Sequence, residues 1–520
     1  MTQSKTTTRR HFLGAAAATA VMMPASLSKG FAVFGDSRPL AEAPAAPGAT
    51  ASVVPEGTIE FESSDEKLVN GFRWAKAQAL AYARNDGSIG PWYEASLPGR
   101  DAFCMRDVSH QSTGAQFLGL GSRTLNMLHR FAASISASKK WCSWWEITRD
   151  NLPAPVDYNN DHDFWYDLPA NFDVLDASYR QWLWSRNRAY LDEVFLNYYR
   201  QTVTDYVQAW DHDHDGLLEH LPHSGHMGIA TYDEDLQDEV LVGSDLIAAQ
   251  YAAFHDFAAI ERARNELKTA AEFEQKADHL KSLYNDKWWD AARNCYFGAI
   301  GEDGKFHADL KEGGGRCTVE LPFYYGLTAA GPKTHASLDI LEQRLQSDLN
   351  SSRGVIGGVE GRSYMPDIFY RYGRSRAGYR ALTAMMDPGL KRREYPEVSY
   401  TVIGNLGAGL MGLRPLAPEQ TVETFPQLTD ETGWAALHHV PMGRNVISVK
   451  HTTNGDTALT NESGPALAWR AAFPGKFRTL FSSKKEILAT NAIRSSGASE
   501  TFGIVHVERG ETRVVRVASG

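Results

Sequence analysis

The chain has 520 residues, 43% of them hydrophobic and 22% charged, with a net charge of −10 and no long basic block. That length is enough for one large domain and a smaller one, and the balance is that of a globular protein with a sizeable core. An acidic chain without a basic stripe excludes a nucleic-acid backbone as its main partner.

The N-terminal run Thr8-Arg9-Arg10-His11-Phe12-Leu13-Gly14 leads into an apolar, Ala-rich stretch over 15–24. This matches a twin-arginine export signal, and the stretch falls short of the ~20 residues a membrane span needs. Ala41-Glu42-Ala43 suits a signal peptidase. Residues 1–43 therefore read as a signal peptide and 44–63 as a flexible leader, and the mature protein is expected to be periplasmic or secreted. No later run of about 18 apolar residues follows, so no membrane span is expected after signal removal. The four cysteines, Cys104, Cys142, Cys295 and Cys317, are widely spaced and form no CxxC pair. Buried thiols fit that spacing better than a zinc site.

Over 64–415 the pattern is helical and of two kinds. Segments 65–84, 122–138, 186–210, 258–283, 333–349 and 372–386 are amphipathic with one charged face. Segments 108–120, 171–184, 244–255, 319–327, 362–370 and 398–413 are poor in charge and rich in small or apolar residues. A helix apolar nearly all round must be buried, whereas one with a charged face meets water. The two kinds alternate, six of each, which predicts two concentric rings, a mainly α (α/α)6 toroid. Long links over 91–107, 157–170, 211–243, 301–318, 354–361 and 387–397 precede the charge-poor helices. They are loaded with aromatic, acidic, Arg and Gly residues, so the site is expected at the mouth where such links converge. Beyond Pro415 short alternating runs separated by Asn-Gly, Pro-Gly and Arg-Gly turns predict a small antiparallel β domain over 416–520.

The links carry the candidate chemistry. Asp233, Glu234, Asp235, Asp238 and Glu239 crowd the third, where like charge and burial would raise one carboxyl's pKa; a solvated acidic loop is the plainer reading. Glu397 follows Pro396 at the start of an apolar helix on the sixth link, as a water-activating carboxylate or simply one favoured at a helix N-terminus. Acid–base work across a bond, with a water between, needs two carboxyls about 6.5–9.5 Å apart, which two loops across a mouth can supply. Asp101 and Asp107, with Arg100 and Arg106 beside them, are substrate ligands or buried ion pairs. His110 is a hydroxyl ligand or a core histidine. Trp165, Tyr166 and Tyr400 join the substrate-binding candidates, although any one aromatic can equally be packing. Asp211-His212-Asp213-His214-Asp215-Gly216 copies half of an EF-hand loop, but Pro222 stands where the bidentate Glu belongs. No metal or other cofactor is expected.

Three short matches carry a family resemblance over roughly 60–415. Arg106-Asp107-Val108 looks like the segment of glucoamylases whose Asp grips hydroxyls of the terminal sugar. Asp235-Leu236-Gln237-Asp238-Glu239-Val240 looks like their segment that supplies the general acid. Glu394-Tyr395-Pro396-Glu397-Val398-Ser399-Tyr400 lies where the general base is kept. The chain thus resembles the six-hairpin glycosidases, the superfamily of glucoamylases, trehalases and α-L-rhamnosidases. The resemblance implies an inverting, exo-acting glycosidase with Asp238 or Glu239 as acid, Glu397 as base and a carbohydrate substrate. Departures are visible: Asp238 replaces the first Glu of the glucoamylase pair, Met227 stands where trehalases place their acid, and Arg100-Asp101 resembles a rhamnosidase acid motif, which makes Asp101 a competing acid. A toroid lyase or unsaturated-uronide hydrolase and a non-catalytic glycan-binding protein are the alternatives.

Overall fold

The structure, a computed structural model, describes residues 54–221, 228–233, 239–308, 320–349, 358–483 and 485–518. The signal-peptide expectation, Asp238, Met227 and Cys317 lie outside them. Helices occur at each of the twelve positions expected from the pattern. The amphipathic set is α1 (Glu66–Ala81), α3 (Gly121–Ala133), α5 and α6 (Glu193–Val203, Asp205–Trp210), α8 (Leu267–Lys287), α10 (Pro332–Leu349) and α13 (Ser375–Met386). The charge-poor set is α2 (Met105–Phe117), α4 (Ala170–Ser185), α7 (Ser244–Ala263), α9 (Leu321–Tyr324), α11 and α12 (Gly358–Ser363, Met365–Arg371) and α14 (Pro396–Gly404), which runs on as a π-helical segment, Asn405–Leu410.

Local chemistry starts several of these helices. Asp65 caps α1 by accepting from the Lys67 amide at 2.9 Å, and its other oxygen accepts from the Tyr379 hydroxyl of α13 at 2.6 Å. Pro396 opens α14, where its missing N–H is no loss. The charge-poor helices are buried almost all round: every residue of α14 is inaccessible, and α2 buries Asp107, Ser109, His110, Gln111 and Ser112 along with its apolar residues. In space α2 packs on α4, α4 on α7, α7 on α9 and α9 on α12, while α11 packs on α14 and α14 on α2. Several amphipathic helices pack on them, α8 on α7, α1 on α14, α13 on α12 and α3 on α2. Close backbone approach makes the α2–α14 contact possible: a Cβ on Gly114 would lie 2.1 Å from the Tyr400 carbonyl oxygen.

The C-terminal region is sheet-rich. One sheet orders the strands 60–63, 434–442, 445–452, 456–463, 512–517, 480–482 and 485–487; the other orders 414–416, 421–424, 467–474, 499–507 and 490–493. Two expectations need correcting. Glu60–Ser63 is not leader but an edge strand, paired antiparallel with Trp434–Met442; its inward Phe61 is buried against Phe72 of α1, which holds it down. The domain is not wholly antiparallel either, since Thr421–Thr424 runs parallel to Leu467–Pro474. The sheets seat on the C-terminal ends of the charge-poor helices: Gly443 N–H donates to the Trp184 carbonyl, Gln427 N–H to that of Leu410, and buried His451 bonds the Met411 carbonyl at 3.0 Å. The opposite, N-terminal ends of those helices are left to the long links. No helix among the described residues is long and apolar enough to cross a membrane.

Candidate active site

Carboxylates sit at the N-terminal ends of the charge-poor helices: Asp107 on α2, Asp173 on α4, Asp245 on α7, Glu320 just before α9, Glu360 on α11, Asp367 on α12 and Glu397 on α14. Unpaired backbone N–H groups and the helix dipole favour negative charge there. Hydrogen bonds then tie these first turns together.

Glu397 is fully buried. Its Oε1 lies 2.5 Å from His110 Nδ1, reached across the α2–α14 contact, while its Oε2 is buried with no hydrogen-bond partner among the described residues. An orphaned, inaccessible carboxylate oxygen is costly and calls for a water or a ligand hydroxyl. His110 Nε2 meets Asp367 Oδ2 at 3.3 Å, and the Asn405 side-chain amide donates to that same oxygen at 2.8 Å. The Tyr364 ring stacks on the imidazole with centroids 3.8 Å apart. Burial by itself would push the imidazole down, but hydrogen bonds to Asp367 and Glu397 and their charges outweigh it and lift it to about 9. The carboxyl oxygens at both ring nitrogens and the raised pKa favour the imidazolium at neutral pH.

Beside this chain, Asp107 accepts from the Tyr395 hydroxyl and the Cys104 thiol, with Arg106 3.8 Å away. Burial raises it, Arg106 pulls back and Glu397 adds repulsion, leaving it at about 6. Arg106 also lies over the Tyr232 ring, 5.4 Å from its centroid. Asp173 accepts from the hydroxyls of Tyr232 and Tyr325, the latter at 2.5 Å, and burial lifts it to about 7. Asp245 accepts from the Thr231 hydroxyl and the backbone N–H of Tyr232 and Leu246; burial again lifts it to about 7.

The structure thus brings together Glu397, His110, Asp107 and Arg106 of the residues singled out in the sequence. It places the others elsewhere. Arg100 pairs with buried Glu146 at 3.2 Å, and Asp101, at φ +51°, pairs with half-exposed Arg149 at 3.4 Å, so both are engaged in ion pairs with the neighbouring strand segment 146–149. Tyr166 is buried against Trp210, with centroids 4.7 Å apart, and Trp165 is half-buried. Tyr400 is not a surface-facing ligand: it is core, its ring on Tyr93 and its hydroxyl on the Ala79 carbonyl, because it lies one turn below Glu397 on the α1 side of α14. Glu239 is exposed, its carbonyl accepting from the Glu302 amide. Asp211, Asp213 and Asp215 gather their carboxylates within 4.8 Å of one another, but Asp211 accepts from the Asp215 and Gly216 amides, as a self-bonded turn does. Cys104, Cys142 and Cys295 are free thiols. Sequence reading missed Asp367, Asp173, Asp245, Tyr364 and Tyr395. A signal for the three carboxylates was present, one acidic residue in the opening turn of a charge-poor helix; nothing marked the tyrosines.

No protein-family model and no curated protein matches the chain. Solved structures do. A GH78 family rhamnosidase of Bacillus sp. GL1 superposes with a TM-score of 0.57 at 16% identity, over 78% of this chain and 41% of that one. An α-L-rhamnosidase from Dictyoglumus thermophilum gives 0.56 at 12%, over 89% and 51%. That of Aspergillus terreus gives 0.55 at 12%, over 88% and 51%. The chain has a glycosidase-like fold. It spans only about half, or less, of the length of these rhamnosidases, and at such identities the likeness concerns the fold alone.

Proposed function

We propose that this protein is an inverting, exo-acting glycosidase, exported by its twin-arginine signal to the periplasm or beyond, whose helices close as an (α/α)6 toroid. The order in which the charge-poor helices pack, with the last against the first, supports the closed ring. The observation that carries the activity is Glu397: buried, bonded to His110 on one oxygen and without a partner among the described residues on the other, among the first turns of those helices. As general base it takes a proton from water through Oε2, the water oxygen attacks the anomeric carbon, and the bond to the leaving oxygen breaks as a second carboxyl protonates it. Asp107, Asp173 and Asp245 all carry raised pKa values, yet each already accepts two or more hydrogen bonds. They are acceptors in place, and the acid is assigned to the third link, Asp238 or Glu239, on the resemblance to the glucoamylase acid segment.

Among the described residues, the charge at this end argues against the uronide reading. Arg106 is already shared between Asp107 and Tyr232, Arg100 is taken by Glu146, and the first-turn carboxylates would repel an acidic sugar. A neutral terminal sugar fits. The test is a panel of p-nitrophenyl glycosides, starting with the α-L-rhamnoside, with Glu397→Gln beside the native protein. Turnover falling about 10²–10⁴-fold with the fold intact supports the reading; Glu397→Gln that turns over normally sinks it. Asp238→Asn or Glu239→Gln should lose more on poor leaving groups than on nitrophenol, and Asp101→Asn alone behaving so would move the acid to Asp101.

A further inference from the structure

We infer that Asp367 is a positioning residue for the base: it holds His110 as an imidazolium whose Nδ1–H is aimed at Glu397, so that the other oxygen of this buried carboxyl stays directed at the substrate water. This rests on the reading of Glu397 as base. The geometry comes from three separate helices. Glu397 stands on α14, His110 on α2 and Asp367 on α12, with the imidazole bridging the two carboxylates at 2.5 and 3.3 Å. The protonated ring donates from both nitrogens and so can serve a carboxyl on each side at once.

The rest of the surroundings fits a fixed cation. Tyr364 stacks on one face of the ring and Tyr324 of α9 meets it edge-on at 5.6 Å, so the ring cannot swing away. Asn405, the first residue of the π-helical segment, pins the Asp367 oxygen that His110 uses. Opposing charges are spoken for. Arg106, one turn earlier on α2, is paired with Asp107. Arg180 of α4 is paired with Asp176 at 2.8 Å and donates to the Ser109 carbonyl at 3.1 Å. Exposure is graded along the chain: the Glu397 side chain is 0% exposed, that of His110 3% and that of Asp367 27%. Removing the charge of Asp367 therefore leaves the imidazolium a single counter-charge, Glu397, and weakens its hold on the proton.

The readout is the titration of His110, followed by NMR on histidine-labelled full-length mature protein and assigned by its loss in His110→Gln. In the native protein the ring should still be protonated at pH 7.5. In Asp367→Asn its pKa should fall by about one unit or more, and Asp367→Glu should restore part of the shift. On the p-nitrophenyl glycoside found in the panel, Asp367→Asn should lower kcat more than it raises KM, and Asp367→Glu should recover part of the loss. A neutral His110 in the native protein at pH 7.5 overturns the inference without any variant. So does an unchanged titration in a folded Asp367→Asn. Full turnover by Glu397→Gln would instead remove the base assignment, while the His110 titration still reports whether Asp367 holds the proton.

Discussion

Asp107 shows how one hydroxyl can set a residue's role. It sits at about 6 because burial raises it while Arg106 and the Tyr395 and Cys104 donors restrain it. If Asp107 grips a sugar hydroxyl as an acceptor, as its resemblance to the glucoamylase Asp implies, it must be ionised to do so. Tyr395→Phe removes a hydrogen bond to the charged form, a loss of about 1.5–3 kcal/mol, and pushes the carboxyl further up. KM should then rise roughly tenfold or more at pH 6.5, with kcat close to native and KM recovering as the pH is raised to 8.5. A KM that is insensitive to pH in this variant would show that Asp107 does not touch the sugar. His110 and Glu397 obey the same logic with charges in place of a hydroxyl: the pair is strong because each would be expensive alone in that interior.

At the scale of elements, what matters is how near two helices may come. The Glu397–His110 bond spans α14 and α2, and those helices meet at Gly114, whose missing side chain makes room for the Tyr400 carbonyl. The obstacle is backbone, which cannot rotate aside. Gly114→Ala should destabilise the protein by about 1–3 kcal/mol or prevent folding. At Gly389 an added Cβ would meet nothing nearer than 3.4 Å, so Gly389→Ala should melt near the native temperature. Equal melting of the two variants would mean that the helices can part, and that the 2.5 Å bond between them is not enforced by packing. The π-helical segment has a related place: it puts Asn405 beside Asp367, within the same stretch whose Gly407 lies under the Phe117 ring.

For the molecule as a whole, the sheets and the helices are bound at the end opposite the carboxylates, and the sheet edge is closed by a strand from before the first helix. Deleting residues 54–63 should expose the Trp434–Met442 edge and the Phe72 side of α1 together, giving a lower melting temperature and a tendency to aggregate. Native melting after that deletion would refute the link. His451 makes the junction pH-sensitive. It is fully buried between Thr457 and the Met411 carbonyl, and burial drops it from 6.5 to about 4. Its folded value lies below its unfolded one, so the unfolded chain binds the proton more tightly. The contribution is whole above pH 6.5 and is lost as the pH falls toward 4, amounting to about 3 kcal/mol at most. Chemical denaturation of native protein and His451→Gln should diverge at pH 7.5 and converge near pH 4; parallel curves would sink this account. Export belongs to this scale too. Replacing Arg9 and Arg10 by Lys should retain the protein in the cytoplasm, and normal export of that variant would remove the localisation reading.

The alternation of charged-face and charge-poor helices could be read from the sequence because burial on one side or on all sides leaves a periodic mark in residue type. The sheet-rich tail was legible for the same reason, at period two. So was Glu397, since Pro396 and an apolar run announce a helix start at the end of a polar link. Other features carry no local mark. Tyr400 and Tyr395 flank Glu397 in sequence, yet α14's rotation sends one into the core and the other to Asp107. Arg100-Asp101 and Arg106-Asp107 look alike on paper, but only the second stands on a helix that meets α14. Asp367 lies 257 residues from His110, and the parallel pairing of Thr421–Thr424 with Leu467–Pro474 joins strands far apart in the chain. Sequence determined which segments had to be buried and where carboxylates meet helix starts, because both are properties of single segments. Which carboxylate faces which partner was decided only when three helices closed to within a glycine's width, since a contact between distant segments leaves no trace in either one alone.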